Sequence, residues 1–252
     1  MESNPKGYAV HVGLSSVWFD GKHYAAAWRA DGCDLAADTF ATITNIMGFE
    51  TPVVLQNDKA KACDVLDAIS LVCDKMAASD DLFALTFACH GVAGNSSEGT
   101  VTSLLMYDRA LDTREVMDVL VRCPCRVFVA ALACDGTFLP DPVLASRLKS
   151  RGVTLGSATG AQHIWSKGLG FDVPSVNPGF GKVLVLSASE RDEHAAPGKK
   201  PDQLPPFVES FSKRVGQSST YDALRQAIDV DITSTPTFGG NQSAKNDPPL
   251  KI

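Results

Sequence analysis

The sequence predicts an α/β; doubly wound fold, a mostly parallel sheet with helices on both faces. Three observations carry that expectation. The apolar runs Asp81–Cys89 and Arg126–Ala133 are continuous rather than alternating, as strands buried on both faces require. Shorter apolar or β-branched runs recur at Tyr8–Leu14, Thr51–Leu55 and Val183–Ala188. Between several of them lie segments with helical apolar spacing, in an order and at lengths that suit crossover connections.

Taken in order, Tyr8–Leu14 is the first strand and Ser15–Trp28 an irregular loop. Gly32-Cys33-Asp34 opens a helix whose inward positions are Leu35, Phe40, Ile43 and Ile46 or Met47, closed by Gly48. Thr51–Leu55 is the second strand. Asn57 or Asp58 caps a helix running to about Ala77, with Val65, Leu66, Ile69, Val72 and Met76 facing inward. The strand Leu82–Ala88 follows, then a flexible loop Gly91–Gly99 by composition and a short strand at Ser103–Tyr107. Asp112-Thr-Arg-Glu115 has the N-cap and N3 acid of a capping box, giving a helix to about Val121. After the strand Arg126–Ala133 come Pro140-Asp-Pro142 and a helix over Val143–Lys149. Gly168–Gly181 reads as a connection, Val183–Ala188 as a buried strand, and Arg191–Pro206 as an exposed polar loop. Phe207–Val215 and Tyr221–Ile232 have the spacing of amphipathic helices, and the tail from Ser234 reads as extended or partly disordered.

Composition bounds the function class. The chain has 252 residues, 44% of them hydrophobic, enough for one large domain spanning 1–252. A formal net charge of -6 without a long Lys/Arg cluster argues against nucleic-acid or membrane-surface binding. The N-terminus lacks an apolar signal core, and no apolar run approaches membrane-spanning length. Seven scattered cysteines suit reduced thiols in a cytoplasmic protein better than a disulfide framework. Cys33, Cys63, Cys73 and Cys89 read as small core hydrophobes. Cys123-Pro124-Cys125 has no second pair at zinc spacing, and Asp108, Asp112 and Asp141 form no calcium loop, so no metal and no cofactor are expected.

The two long strands end in chemistry. The first runs into His90-Gly91 and the second into Cys134-Asp135-Gly136-Thr137. Sites in open α/β sheets lie beyond the carboxyl ends of the strands, so this placement puts an imidazole and a thiol on one rim. A Cys134 thiolate would be the nucleophile, and His90 would generate it and later protonate the leaving nitrogen. Backbone N–H groups of Gly91 and Cys134 would receive the oxyanion. Asp135 beside the nucleophile opposes thiolate formation. His11 falls inside a strand and His23, His163 and His194 in loops, so none of these four is expected to catalyse.

Phe87-Ala-Cys-His90-Gly91 and Leu132-Ala-Cys134-Asp-Gly136-Thr137, 44 residues apart from His to Cys, resemble the His-Gly and Ala-Cys-x-Gly motifs of the caspase-like cysteine peptidases (the caspase–metacaspase superfamily). Gly32-Cys33 resembles the Gly-Cys that opens the first helix of metacaspases, and Val183–Ala188 with the Thr220-Tyr-Asp-Ala-Leu helix resembles the small-subunit part. The resemblance thus implies a caspase-like fold, with 1–165 as the large-subunit-like part, 166–181 as the connection and 182–252 as the small-subunit-like part. It implies a thiol protease of the prokaryotic stand-alone type, acting by limited proteolysis in a stress or defence role.

The resemblance also assigns a substrate pocket to Leu132, Ala36, Arg29, Asp31 and Ser187, and here the chain departs from the pattern. The metacaspase acids are Ala36 and Leu132, and the caspase arginine is Ala30 with Arg29 beside it. A neutral aliphatic residue before the scissile bond is favoured over a basic one reached by Asp31, Asp192 or Glu193, with an acidic one last. Any self-cleavage is expected in Ser166–Gly181. The expected partners are a protein or peptide substrate and an activating partner or sensor protein, with no nucleic acid and no membrane. The competing readings are a caspase-fold pseudoenzyme or interaction module, and a flavodoxin-like binding domain. The segment Val12-Gly-Leu-Ser-Ser opposes the last, because it lacks a phosphate-cradling glycine pattern.

Overall fold

The computed structural model describes residues 4–16, 18–19, 22–23, 30–76, 80–96, 99–120, 122–135, 183–189 and 195–252. The expected helix at 143–149, the connection 166–181, Arg29, His163, Asp192, Glu193 and His194 lie outside these residues.

The strands are β1 (Gly7–Gly13), β2 (Trp18–Phe19), β3 (Lys22–His23), β4 (Val53–Gln56), β5 (Leu82–Ser96), β6 (Gly99–Leu105), β7 (Ala110–Asp112), β8 (Arg126–Asp135), β9 (Val183–Ser187) and β10 (Thr237–Gly240). The helices are α1 (Cys33–Ile46), α2 (Ala62–Lys75), α3 (Thr113–Leu120), α4 (Pro206–Arg214) and α5 (Tyr221–Asp231). Across the main sheet the order is β10-β9-β8-β5-β1-β4, with β6 and β7 extending β5. β4, β1, β5, β8 and β9 run parallel, and β10 closes the edge antiparallel. This is the doubly wound, mostly parallel sheet that the apolar runs predict.

Strand alternation divides the core in two. Phe83, Leu85, Phe87 and Cys89 of β5 and Val127, Val129 and Ala131 of β8 pack under α2 and α3. Leu82, Ala84 and Ala88 of β5 and Phe128, Ala130 and Leu132 of β8 pack under α1, α4 and α5. The spacing Val65, Ile69, Val72 turns one stripe of α2 inward, while Leu71 on the other side is 53% exposed. Burying apolar surface at about 25 cal/mol per Å² makes these two layers the main source of stability.

Several boundaries differ from expectation. Asn57–Lys59 forms a separate 3₁₀ turn, and α2 begins at Ala62, whose N–H donates to Asp108 Oδ1 at 2.8 Å. A carboxylate from a distant loop thus replaces the local cap. The capping box at Asp112 is present: Asp112 Oδ1 accepts from Arg114 N–H, and Glu115 Oε1 accepts from Asp112 N–H. Glu115 also holds Arg109 through two contacts of 2.8 and 2.9 Å, which lowers the Glu115 pKa.

Three loop expectations need correction. The loop expected at 91–99 is largely strand: β5 continues to Ser96 and pairs with β6, which begins at Gly99 and not at Ser103. Glycine and serine composition masked a hairpin whose stability comes from its partner. The tail beyond Ser234 carries β10 and buries Leu250, because the sheet edge at β9 offers an unpaired ladder. The polar segment is a loop exposed over Lys199–Gln203, as expected, but Ala195, Gly198 and Pro205 within it are buried.

The cysteine expectation is also corrected. Cys73 and Cys123 form a disulfide, tying the end of α2 to the turn after α3. Cys63 is an exposed thiol on α2 rather than a core residue, whereas Cys33 and Cys89 are buried. Cys125 is buried with its Sγ 3.3 Å from Met76 Sδ.

Candidate active site

β5 and β8 are neighbours, registered from Leu82↔Arg126 through to Gly91↔Asp135. Each strand advances eight residues from that first pair, so His90 stands opposite Cys134. Partner backbones in adjacent strands lie about 4.8 Å apart. Position 90 has the parity of Leu82, Ala84 and Ala88, and position 134 that of Phe128, Ala130 and Leu132, so both belong to the α1 face. The His90 residue is half-buried and Gly91 is buried.

His90 also marks a change of neighbours along β5. Up to Ala88 its other partner is β1, which ends at Gly13, with the Leu14 N–H donating to Ala88 O at 2.9 Å. From Gly91 onward the partner is β6, beginning at Leu104. Cys89 and His90 occupy the changeover between these two ladders. A parallel sheet opens a crevice where its strands part, at their carboxyl ends.

The loop before α1 is fastened onto this rim. Ser15 Oγ donates to Asp34 Oδ1 at 2.6 Å, Asn57 Nδ2 donates to Asp34 Oδ2 at 3.3 Å, and Gln56 Nε2 donates to Asp34 O at 2.8 Å. Asp34 Oδ1 also accepts from Leu35 N–H, so one carboxylate joins α1 to the ends of β1 and β4. Gly13 is glycine for want of room, since a Cβ there would collide with the Cys33 carbonyl oxygen. Gly32 takes φ +78° and lies against the Gln203 carbonyl, while Gly198 N–H donates to Asp31 O at 2.7 Å. Segment 195–205 is thereby held against the Asp31–Cys33 loop. Sequence reasoning missed Asp34; its signal was an acid in the first turn of a helix.

One strand over, His11 is fully buried and held at both ring nitrogens, 2.9 Å from Thr86 Oγ1 and 3.0 Å from Thr44 Oγ1. Thr44 donates its own hydroxyl proton back to the α1 backbone at Phe40 O or Ala41 O, so its oxygen must accept from Nε2–H. Nδ1 is then the acceptor for the Thr86 hydroxyl. Burial lowers the His11 pKa to about 3, which leaves the ring neutral and structural.

No protein-family model matches the chain, and no curated protein matches it in sequence. Solved structures do. Protein GSU0716 from Geobacter sulfurreducens superposes with a TM-score of 0.70 at 18% identity, over 98% of this chain and 99% of that one. Caspase-1 from Spodoptera frugiperda superposes with a TM-score of 0.59 at 12% identity, over 93% of this chain and 86% of that one. The chain has a caspase-like fold.

Within that fold the other expected site residues scatter. Ala36 (0% exposed) and Leu132 (2%) are both buried on the α1 face with Ala30 and Cys33, below the rim. Asp31 sits on the rim, half-buried. Ser187 ends β9 and is the register partner of Ala131, which packs on the α2–α3 face away from Leu132. Its hydroxyl is buried without a hydrogen-bond partner, as is the Thr237 hydroxyl directly opposite on β10. Among the described residues no cluster of three His, Cys, Asp or Glu is placed to hold a metal. No described helix is long and apolar enough to cross a membrane.

Proposed function

We propose that the protein is a cysteine endopeptidase that cuts a protein substrate at a limited number of sites. The observation that carries this reading is the register pairing of His90 with Cys134 at the carboxyl ends of adjacent parallel strands. The Cys134 thiolate attacks the scissile carbonyl carbon, and the resulting oxyanion is received by the N–H groups of Gly91 and Cys134. Collapse of that intermediate breaks the C–N bond as protonated His90 gives its proton to the leaving amine. His90 then takes a proton from water, whose oxygen displaces the thiolate from the thioester and releases the acid. Acid–base help from one side chain is worth typically ~10²–10⁴-fold.

The apolar character of Ala36 and Leu132 beneath the rim supports a neutral aliphatic residue before the scissile bond, because an unpaired charge brought against apolar side chains is costly. Their burial also makes a Leu132→Asp exchange a poor test, since it would strand a carboxylate in the core. Comparing cleavage of leucine and arginine peptides is cleaner. A preference for arginine would move attention to Asp31.

The decisive experiment is labelling with a peptidyl ketone, read by mass spectrometry. Cys63 is an exposed thiol and serves as the internal reference. Cys134 should react far faster than Cys63, and should lose that advantage in a His90→Ala chain. Equal labelling of the two thiols would instead favour an interaction module built on a caspase-like fold.

A further inference from the structure

At the amino ends of the strands lies a cavity of about 200 Å³. Its floor is the register row Leu82↔Arg126 together with Phe128↔Leu184, and its wall is Tyr221 with the turn Ala244–Pro248. Eight residues of β5 separate Leu82 from His90, about 26 Å at ~3.3 Å per residue. The cavity is therefore distinct from the candidate active site.

Two charges of opposite sign line it, and they do not pair with each other. Arg126 Nη2 donates to two neutral acceptors, Asp80 O at 2.9 Å and Lys251 O at 3.4 Å, and its Nε is buried with no acceptor. No carboxylate of the described residues makes an ion pair with this guanidinium. Asp247 also lines the cavity, beside Tyr221, whose hydroxyl accepts from the Leu250 N–H at 3.0 Å. Both charges act on that hydroxyl, Arg126 favouring its ionisation and Asp247 opposing it. The remaining lining is mixed: Leu82, Val127, Phe128, Leu184, Ala244 and Pro248 are apolar, while Asn241 and Ser243 are polar and bonded to each other, Ser243 Oγ donating to Asn241 Oδ1 at 2.6 Å.

We propose that this cavity binds a free α-amino acid with an apolar side chain. The carboxylate would meet the Arg126 guanidinium, a planar donor fork suited to that group. The ammonium would meet Asp247, and the side chain would cover the Phe128 ring. The volume fits this class, being below the roughly 300–1,000 Å³ of sites for larger ligands. A simple anion would leave Asp247 opposed to it, and a simple cation would leave Arg126 opposed.

The test is calorimetry on the full chain with L-leucine, its des-amino analogue 4-methylpentanoate and its decarboxylated analogue 3-methylbutylamine. Leucine should bind, and each analogue should bind at least roughly tenfold more weakly, because each leaves one of the cavity's two half-buried charges unanswered. Asp247→Asn should erase the preference for leucine over the des-amino analogue. Arg126→Lys, which keeps the charge but loses the fork, should weaken leucine while the fold is retained. No heat with leucine at millimolar concentration, equal affinity for all three compounds, or leucine affinity unchanged in both variants would each overturn the proposal.

Discussion

His90 and Cys134 are register partners, each eight residues beyond the pair Leu82 and Arg126 on neighbouring parallel strands. Equal advance along two straight strands brings the two positions level at the rim without help from any loop. The pairing is therefore set by the sheet ladder itself.

This relationship predicts a separation of activity from stability. Cys134→Ala should abolish proteolysis, and His90→Ala should lower its rate by ~10²–10⁴-fold. Thermal midpoints should stay close to that of the parent, because both positions lie at the strand ends, where His90 is only half-buried. Full cleavage by a Cys134→Ala chain would remove the mechanism.

The disulfide predicts a redox-dependent stability. Cys73 and Cys123 are 50 residues apart in sequence, and the loop they close contains β5 with His90. In the chain-entropy account a loop of that length is worth about 4 kcal/mol. Urea titrations with and without reductant should differ by a shift of that order, and Cys73→Ser should match the reduced parent. Coincident midpoints would show that the bond contributes nothing.

His11 predicts an acid sensitivity with a definite sign. Its folded pKa is lowered from 6.5 to about 3, so between those values the unfolded chain binds a proton that the folded chain refuses. The stability it contributes is full above about pH 6.5 and declines as the pH falls toward 3, by about 1.4 kcal/mol per unit. His11→Gln should flatten this part of the stability profile relative to the parent. Parallel profiles for the two proteins would mean that the ring is not held neutral.

Gly32 and Gly48 form a matched pair for testing the rim. Both have positive φ, +78° and +87°, but only Gly32 has a neighbour, the Gln203 carbonyl, where a Cβ would sit. Gly48→Ala should cost only the left-handed penalty, roughly 1–2 kcal/mol. Gly32→Ala should cost more and should also slow cleavage, because it pushes segment 195–205 off the Asp31 loop. The comparison is read by denaturation and by peptide turnover, and equal effects from the two substitutions would disconnect that segment from the site.

The sequence by itself determined the parallel strands and the place of the His90 and Cys134 positions on one rim. Long apolar runs report burial on both faces, and a strand's end is marked by the residue that breaks the run. Residues 91–96, 99–102, 195–205 and 237–240 are different. Their composition is that of loops, and they are ordered by the partners they meet: β5 folds back on β6, Gly198 donates to Asp31, and β10 completes the edge of β9. The Cys73–Cys123 bond, the His11 hydroxyl clamp and the cavity that Arg126 and Asp247 line likewise join residues far apart in the chain. Local pattern records whether a residue is buried, through the period of its neighbours. Which distant group it is buried against is settled only when the sheet and its two helical layers close.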